Sequence, residues 1–150
     1  MDINNEVRVL QMVPMFKDVE PARLKLLAFA SERLTFGAQE VLFHKGDASD
    51  SAYVLLKGAA EVRLETPNGP IVVAKIGQNA IVGEMGVLRD SARSATVAAA
   101  TELVALRISR EVFIGMIREF PSMALAMMRD LAERLEQTNA KVAALSQKQA

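Results

Sequence analysis

The sequence predicts an α+β domain, an eight-stranded β-roll or jelly-roll barrel set between N-terminal helices and a long C-terminal dimerisation helix. Three observations carry that expectation. Apolar residues keep helical spacing up to residue 32, then alternate at a period of two through residues 33–109. Glycines at 37, 46, 58, 69 and 77 break the alternating region into short runs of strand length. After residue 110 helical spacing returns, and beyond Pro121 it becomes a heptad pattern.

Val7, Leu10, Gln11 and Val13 outline a first short helix that stops before Pro14. A second helix starts in Asp18-Val19-Glu20-Pro21, with Asp18 or Glu20 near the cap and proline in the first turn. Leu24, Leu27, Ala28 and the neighbouring Leu26 give it an apolar face up to about Ser31, and Phe16 ahead of it is expected as a core anchor. Strands are expected at 33–36, 40–43, 51–57, 60–66, 71–76, 81–82, 94–99 and 102–108. Within 60–66, Val62 and Leu64 should face in, and Glu61, Arg63 and Glu65 out. Pro67-Asn68-Gly69-Pro70 reads as a hairpin turn in which Asn68-Gly69 tolerates positive φ.

Ser109 is placed to cap the next helix, whose inner face is Phe113, Met116, Ile117 and Phe120. Pro121 interrupts it, with Ser122 as the expected cap of the last helix. Ala124, Met128, Leu131, Leu135, Thr138, Val142 and Leu145 then fall at spacings of four and three, flanked by charged residues, which predicts a parallel helix pair in a homodimer. The methionines at 116, 123, 127 and 128 read as adaptable core packing. One domain, 1–150, is expected, divided into helices 1–32, β-roll 33–109 and C-terminal helices 110–150.

Composition narrows the function classes. There is no cysteine, so disulfides and thiolate metal sites are excluded. The single histidine, His44, follows a strand and reads as a surface residue, because zinc sites need three or four donors at fixed spacing. Eighteen basic residues balance eighteen acidic ones, which argues against a nucleic-acid partner. No apolar run has the length of a membrane span, and the start, Met1 to Glu6, is polar and acidic, unlike a secretory signal; a cytoplasmic location is expected.

Chemistry concentrates in residues 83–97, between an apolar strand and a β-branched one. Gly83 and Gly86 let backbone N–H groups approach an anion, and a short helical turn after Glu84 aims its N-terminus inward. Arg93 offers a planar fork matched to two phosphate oxygens, and Glu84, a pure acceptor when ionised, is suited to a sugar hydroxyl. The pattern suits a small anionic ligand that bears a hydroxyl.

Gly83-Glu84 followed by Arg93-Ser94-Ala95-Thr96-Val97 resembles the phosphate-binding cassette of cyclic nucleotide-binding domains, as found in kinase regulatory subunits, gated channels and catabolite activator-type regulators. The resemblance implies a cyclic nucleotide held by Gly83, Glu84, Met85, Arg93, Ser94 and Ala95, with Glu84 on the ribose 2′-OH and Arg93 on the exocyclic phosphate oxygens. Lys45-Gly46-Asp47, Tyr53 and Lys57-Gly58 match framework positions of the family. Residues 132–142 resemble the dimer helix of the activator-type sensors, which implies that Thr138 meets the adenine amino group. Asn139 stands where a serine of the family reaches the other subunit's ligand.

The resulting expectation is a stand-alone cAMP receptor, not an enzyme, that changes its C-terminal helices and its protein partner on loading. It is expected to bind neither membrane, since no apolar run is long enough to span one, nor DNA, since no recognition helix follows Ser146-Gln147-Lys148-Gln149-Ala150. The alternatives are a regulatory piece of a larger transcription factor or channel, and a cGMP-preferring receptor in which Ser94 contacts guanine.

Overall fold

The computed structural model describes residues 3–149, the side chains of 147–149 excepted. Met1, Asp2 and Ala150, included in the expected domain limits, lie outside the described residues. The chain runs α1 (Ile3–Met12), a 3-10 turn (Pro14–Phe16), α2 (Pro21–Phe29), β1 (Glu32–Phe36), β2 (Val41–Phe43), β3 (Ser51–Lys57), β4 (Ala60–Thr66), β5 (Gly69–Ile76) and β6 (Ile81–Val82). It continues through α3 (Glu84–Arg89), β7 (Thr96–Ala99), β8 (Leu103–Ser109), α4 (Arg110–Glu119) and α5 (Pro121–Gln149). The α+β class and the eight strands are as expected from sequence. The strands form two antiparallel four-stranded sheets, β1-β8-β3-β6 and β2-β7-β4-β5, and do not close into one barrel.

Strands β3 and β8 hold the molecule together because each is buried on both faces. Ala52, Val54 and Leu56 on β3, with Leu106 and Ile108 on β8, pack against Leu10, Phe16, Leu24, Phe113, Met123 and Met127 of the helices. Alternate residues of the same strands, Tyr53, Leu55, Leu103 and Ala105, turn the other way and meet Ala60, Val97 and Ala99 of the second sheet. The period of two thus assigns one face of the central strands to each of two cores. Val87 of α3 belongs to the helical core, with Leu88 and Ile117 packed on its edge, so the cassette is fastened to α4 by apolar contact.

Several side chains depart from the sequence reading. Leu26 is 64% exposed, because it lies two residues from Leu24 and so turns away from the face shared by Leu24, Leu27 and Ala28. Leu64 is 37% exposed and Glu61 is buried, against the expectation at those two positions, while Val62 packs on the second core and Glu65 is exposed, as expected. The reason is the extent of the sandwich: β7 pairs with β4 only over Ala60–Arg63, and beyond it no second strand lies beside Leu64. Gly69 takes the positive φ of the hairpin and Asn68 does not. The break between α4 and α5 falls at Phe120 alone, in extended backbone, so Pro121 is the first residue of α5 and Ser122 lies inside its first turn. On α5 the buried face is Met123 and Met127, whereas Met128, Leu135, Val142 and Leu145 of the expected seam are each more than half exposed.

Candidate functional site

The site begins where β6 ends. Gly83, with φ +85°, turns the chain out of β6 and caps the N-terminus of α3. Only glycine fits: an added Cβ would lie 2.6 Å from Arg93 Nη1 and 3.2 Å from Phe43 Cε2. Gly86 is equally constrained, since a Cβ there would come within 2.2 Å of Ser49 Oγ. The Ser49 hydroxyl donates to the Ser91 carbonyl at 2.6 Å, and Ser91 N–H donates to the Gly86 carbonyl at 3.1 Å. Two further backbone bonds of 2.8 Å tie Arg93 to the β2–β3 loop, Gly46 N–H to Arg93 O and Arg93 N–H to Asp47 O. The cassette is therefore anchored at both ends.

Those anchors drive the Arg93 side chain inward. It is 4% exposed and spans the cassette to donate from Nη1 to Gly83 O at 2.7 Å and from Nη2 to Ser51 O at 2.5 Å. Its guanidinium carbon stands 4.0 Å from the centroid of the Phe43 ring. Nε has no hydrogen-bond partner, and among the described residues Arg93 forms no salt bridge. Burial holds the guanidinium below its ordinary range, opposed by the phenol of Tyr53 and the carboxylates of Asp50, Asp47 and Glu84.

Beside Arg93 lies a cavity of about 210 Å³ lined by Phe43, Val62, Met85, Gly86, Arg89 and Ser91 among others, with no acidic side chain in its wall. Of the residues expected to bind ligand, Gly83, Met85, Arg93, Ser94 and Ala95 line it. Phe43, Val62 and Arg89 line it as well and were not expected as ligand residues. Phe43 reaches the wall through its pairing with Val97 across β2 and β7, a register that no local sequence pattern gives.

Glu84 is not in the cavity wall. It is 6% exposed, with Oε1 3.9 Å from Arg134 Nη1 on α5 and Oε2 without a hydrogen-bond partner. Arg134 is shared, its Nη2 lying 3.0 Å from Asp130 Oδ2. Burial raises the Glu84 pKa, with a backbone hydrogen bond and Arg134 acting against the rise. Thr138 and Asn139 do not reach the cavity either: both are exposed on α5, and Thr138 Oγ1 donates to Arg134 O one turn back at 3.0 Å. The structure thus gathers Gly83, Met85, Arg93, Ser94 and Ala95 in one cavity wall and leaves Glu84 turned to α5.

Comparison with known proteins agrees with the arrangement. The sequence model of the family described as cyclic nucleotide-binding domain matches residues 33–120. A cyclic nucleotide-binding-like protein of Brucella abortus bv. 1 str. 9-941 is 32% identical, with a TM-score of 0.67 over 76% of this chain and 98% of that one. The catabolite activator protein of Thermus thermophilus is 25% identical, with a TM-score of 0.78 over 89% of this chain and 63% of that one. A lysophospholipase, nte1, of Neosartorya fischeri is 30% identical over 130 residues, which are 86% of this chain and 8% of that protein. An NTE family protein of Mycobacterium tuberculosis is 35% identical over 129 residues, 22% of its length. The chain thus spans only a small part of these curated relatives.

The geometry around Glu84 sets a pH dependence. A carboxyl whose folded pKa is raised contributes stability below its unfolded value, and that contribution is lost as pH rises through the folded value. Glu84→Gln keeps the shape and removes the buried charge. Thermal melts of the ligand-free protein should show the variant more stable at pH 7, by about 2–4 °C for each kcal/mol recovered. The gain should shrink as pH falls toward the ordinary carboxylate range; a gain independent of pH would show that Glu84 is not the titrating group.

Proposed function

The chain belongs to the cyclic nucleotide-binding domain family, and from that membership we propose that it is a cytoplasmic receptor for a cyclic nucleotide, cAMP in the first place, which reports loading through α4 and α5. The observation that carries the reading is the buried Arg93 without an acidic partner among the described residues. An unpaired buried cation is costly, and a carboxylate would ordinarily accompany it. Here two carbonyls and a ring face hold the fork, and Nε remains as an unused donor beside the cavity. A cyclic phosphate supplies the missing charge and accepts from a planar fork as a spherical anion does not.

The rest of the nucleotide is placed by the phosphate. Ser94 and the backbone of Ala95 complete the anion contacts, Gly83, Met85 and Gly86 bring the N-terminus of α3 toward the ligand, and Val62 and Met85 offer apolar surface to sugar and base. The ribose 2′-OH requires Glu84 to leave Arg134 and turn to the cavity, a move favoured because Oε2 has no partner where it is. Thr138 meets the adenine amino group once α5 swings toward the cavity, and Asn139 lies beside it for a contact with the other protomer's ligand. The exposed stripe of Met128, Leu135, Val142 and Leu145 supports a homodimer along α5.

Loading is transmitted through Arg110. Its Nη1 donates to Val87 O at 2.7 Å and pairs with Asp90 Oδ1 at 3.2 Å, so the first residue of α4 grips the second half of α3. Val87 also packs in one cluster with Phe113. A cassette drawn toward a phosphate therefore pulls α4, and α5 moves with it about the extended residue Phe120. The domain is a sensor with no catalysis of its own. A second reading, the regulatory segment of a longer protein, is favoured by the 8% coverage of the lysophospholipase relative, in which a domain of this kind accompanies an enzyme.

Calorimetric titration with cAMP, cGMP and 2′-deoxy-cAMP tests the ligand. Arg93→Ala should weaken cAMP by about 2–5 kcal/mol, and Arg93→Lys should weaken it as well because a point charge does not replace the fork. Near-normal affinity in Arg93→Ala would overturn the receptor reading. 2′-Deoxy-cAMP should bind about 1.5–3 kcal/mol more weakly than cAMP, and equal binding would remove Glu84 from the ribose. Hydrogen exchange tests the transmission: cAMP should change protection across residues 110–145, and Arg110→Ala should blunt that change while binding persists. An unchanged pattern in the loaded wild type would refute the coupling.

A further inference from the structure

Phe43 ends β2, opposite Val97, and forms part of the cavity wall. Its ring is held in place from behind. Tyr53, buried, lies 6.1 Å away at an interplanar angle of 34°, and Phe36 meets Tyr53 edge-on at 6.3 Å and 71°. Arg93 lies over Phe43 at 4.0 Å, inside the distance at which a guanidinium is attracted by the negative face of an aromatic ring. The fork is thus fixed in two ways: Gly83 O and Ser51 O accept from its ends, and Phe43 supports its plane.

That support bears on what else Arg93 is able to do. Asp47 and Asp50, in the β2–β3 loop, are near enough to act on its charge. Both carboxylates have other donors: Asp47 accepts from His44 N–H at 2.9 Å, and Asp50 accepts from Ser51 Oγ at 2.9 Å and pairs with Arg107 at 3.2 Å. An arginine left to choose would take such a carboxylate and lose its use as an anion receptor. A ring face attracts the cation without supplying a formal charge, so it holds the fork and leaves the electrostatic demand for an anion unmet.

We propose that Phe43 is a positioning residue for ligand phosphate, its ring face holding the Arg93 fork beside the cavity and away from the loop carboxylates while the site is empty. The proposal rests on the reading of Arg93 as the phosphate receptor and deepens it. An aliphatic residue at 43 fills much of the same volume and lacks the ring quadrupole. The consequence acts on the phosphate contact, and so is common to every cyclic nucleotide whatever its base.

The test titrates cAMP and cGMP into the full chain as wild type, Phe43→Leu, Phe43→Met and Phe43→Tyr, with the fold of each checked by circular dichroism and thermal melting. Phe43→Leu should weaken both nucleotides by about 3–30-fold, by a similar factor for each, as expected from the loss of a cation–π contact. Phe43→Met should do the same if Phe43→Leu does not fold, and Phe43→Tyr, which keeps the ring, should bind within about twofold of wild type. Wild-type binding that Phe43→Leu or Phe43→Met leaves unchanged overturns the proposal and leaves the receptor reading standing. A loss in Phe43→Tyr as large as in Phe43→Leu overturns it too, because ring volume would then be the cause. A loss confined to one nucleotide overturns it in favour of base stacking. A wild type that binds neither nucleotide overturns the receptor reading, and the proposal falls with it.

Discussion

A guanidinium buried to 4% exposure and without an acidic partner among the described residues is the constraint on which the arrangement of this domain depends. Taking such a group out of water costs several kcal/mol unless other groups compensate it. Three compensations operate at once around Arg93: the carbonyls of Gly83 and Ser51 and the face of Phe43. Each comes from a different element, the β6–α3 turn, the start of β3 and the end of β2. The fold brings these three together because β3 lies beside β6 in the first sheet, while β2 pairs with β7 in the second. Where the two sheets meet, Arg93 lines, together with Arg89, a cavity whose wall holds no acidic side chain, in a protein of zero formal net charge.

Glu84 shows the complementary case. It too is buried with an unpartnered atom, and it has a cation, Arg134, at a distance longer than a good hydrogen bond. Arg134 is more closely engaged with Asp130. Neither half of the cassette is fully satisfied within the chain: Arg93 Nε has no acceptor and Glu84 Oε2 has no donor among the described residues. On the proposed reading, a ligand that carries a phosphate and a neighbouring hydroxyl would answer both needs, and satisfying the second would loosen the hold of α3 on α5. Binding and helix release would then draw on the same two groups.

Much of this is legible in the sequence, for identifiable reasons. Strands such as 51–57 and 60–66 are readable because period-two alternation and glycine punctuation are local properties. Gly83 is readable as the turn out of an apolar strand, and it does take positive φ at the start of α3. What escapes is set by non-local geometry. The exposure of Leu64 is decided by where β7 stops, and nothing within 60–66 encodes that limit. Phe43 looks like any apolar strand residue until its register beside Val97 and the path of Arg93 across Gly83 are known. Glu84 is recognisable as an acceptor, yet the partner of its carboxylate is decided by where Arg134 falls on a helix far along the chain. The stripe on α5 is readable as apolar from its spacing, and which of its residues stay exposed is decided by how α5 lies on the rest of the chain.

The central claim is that Arg93 is held buried and unpaired in order to receive a phosphate. The most direct measurement is the NMR signal of its Nε–H group, assigned by comparison with Arg93→Lys and tracked through a titration with cAMP. The empty protein should show a guanidinium whose Nε–H is not engaged by a carboxylate, and saturation with cAMP should move that signal downfield in step with binding, as a charge-assisted bond to a phosphate oxygen forms. Saturable binding of cAMP with the Arg93 Nε–H signal unmoved would contradict the account, because the phosphate would then be held elsewhere.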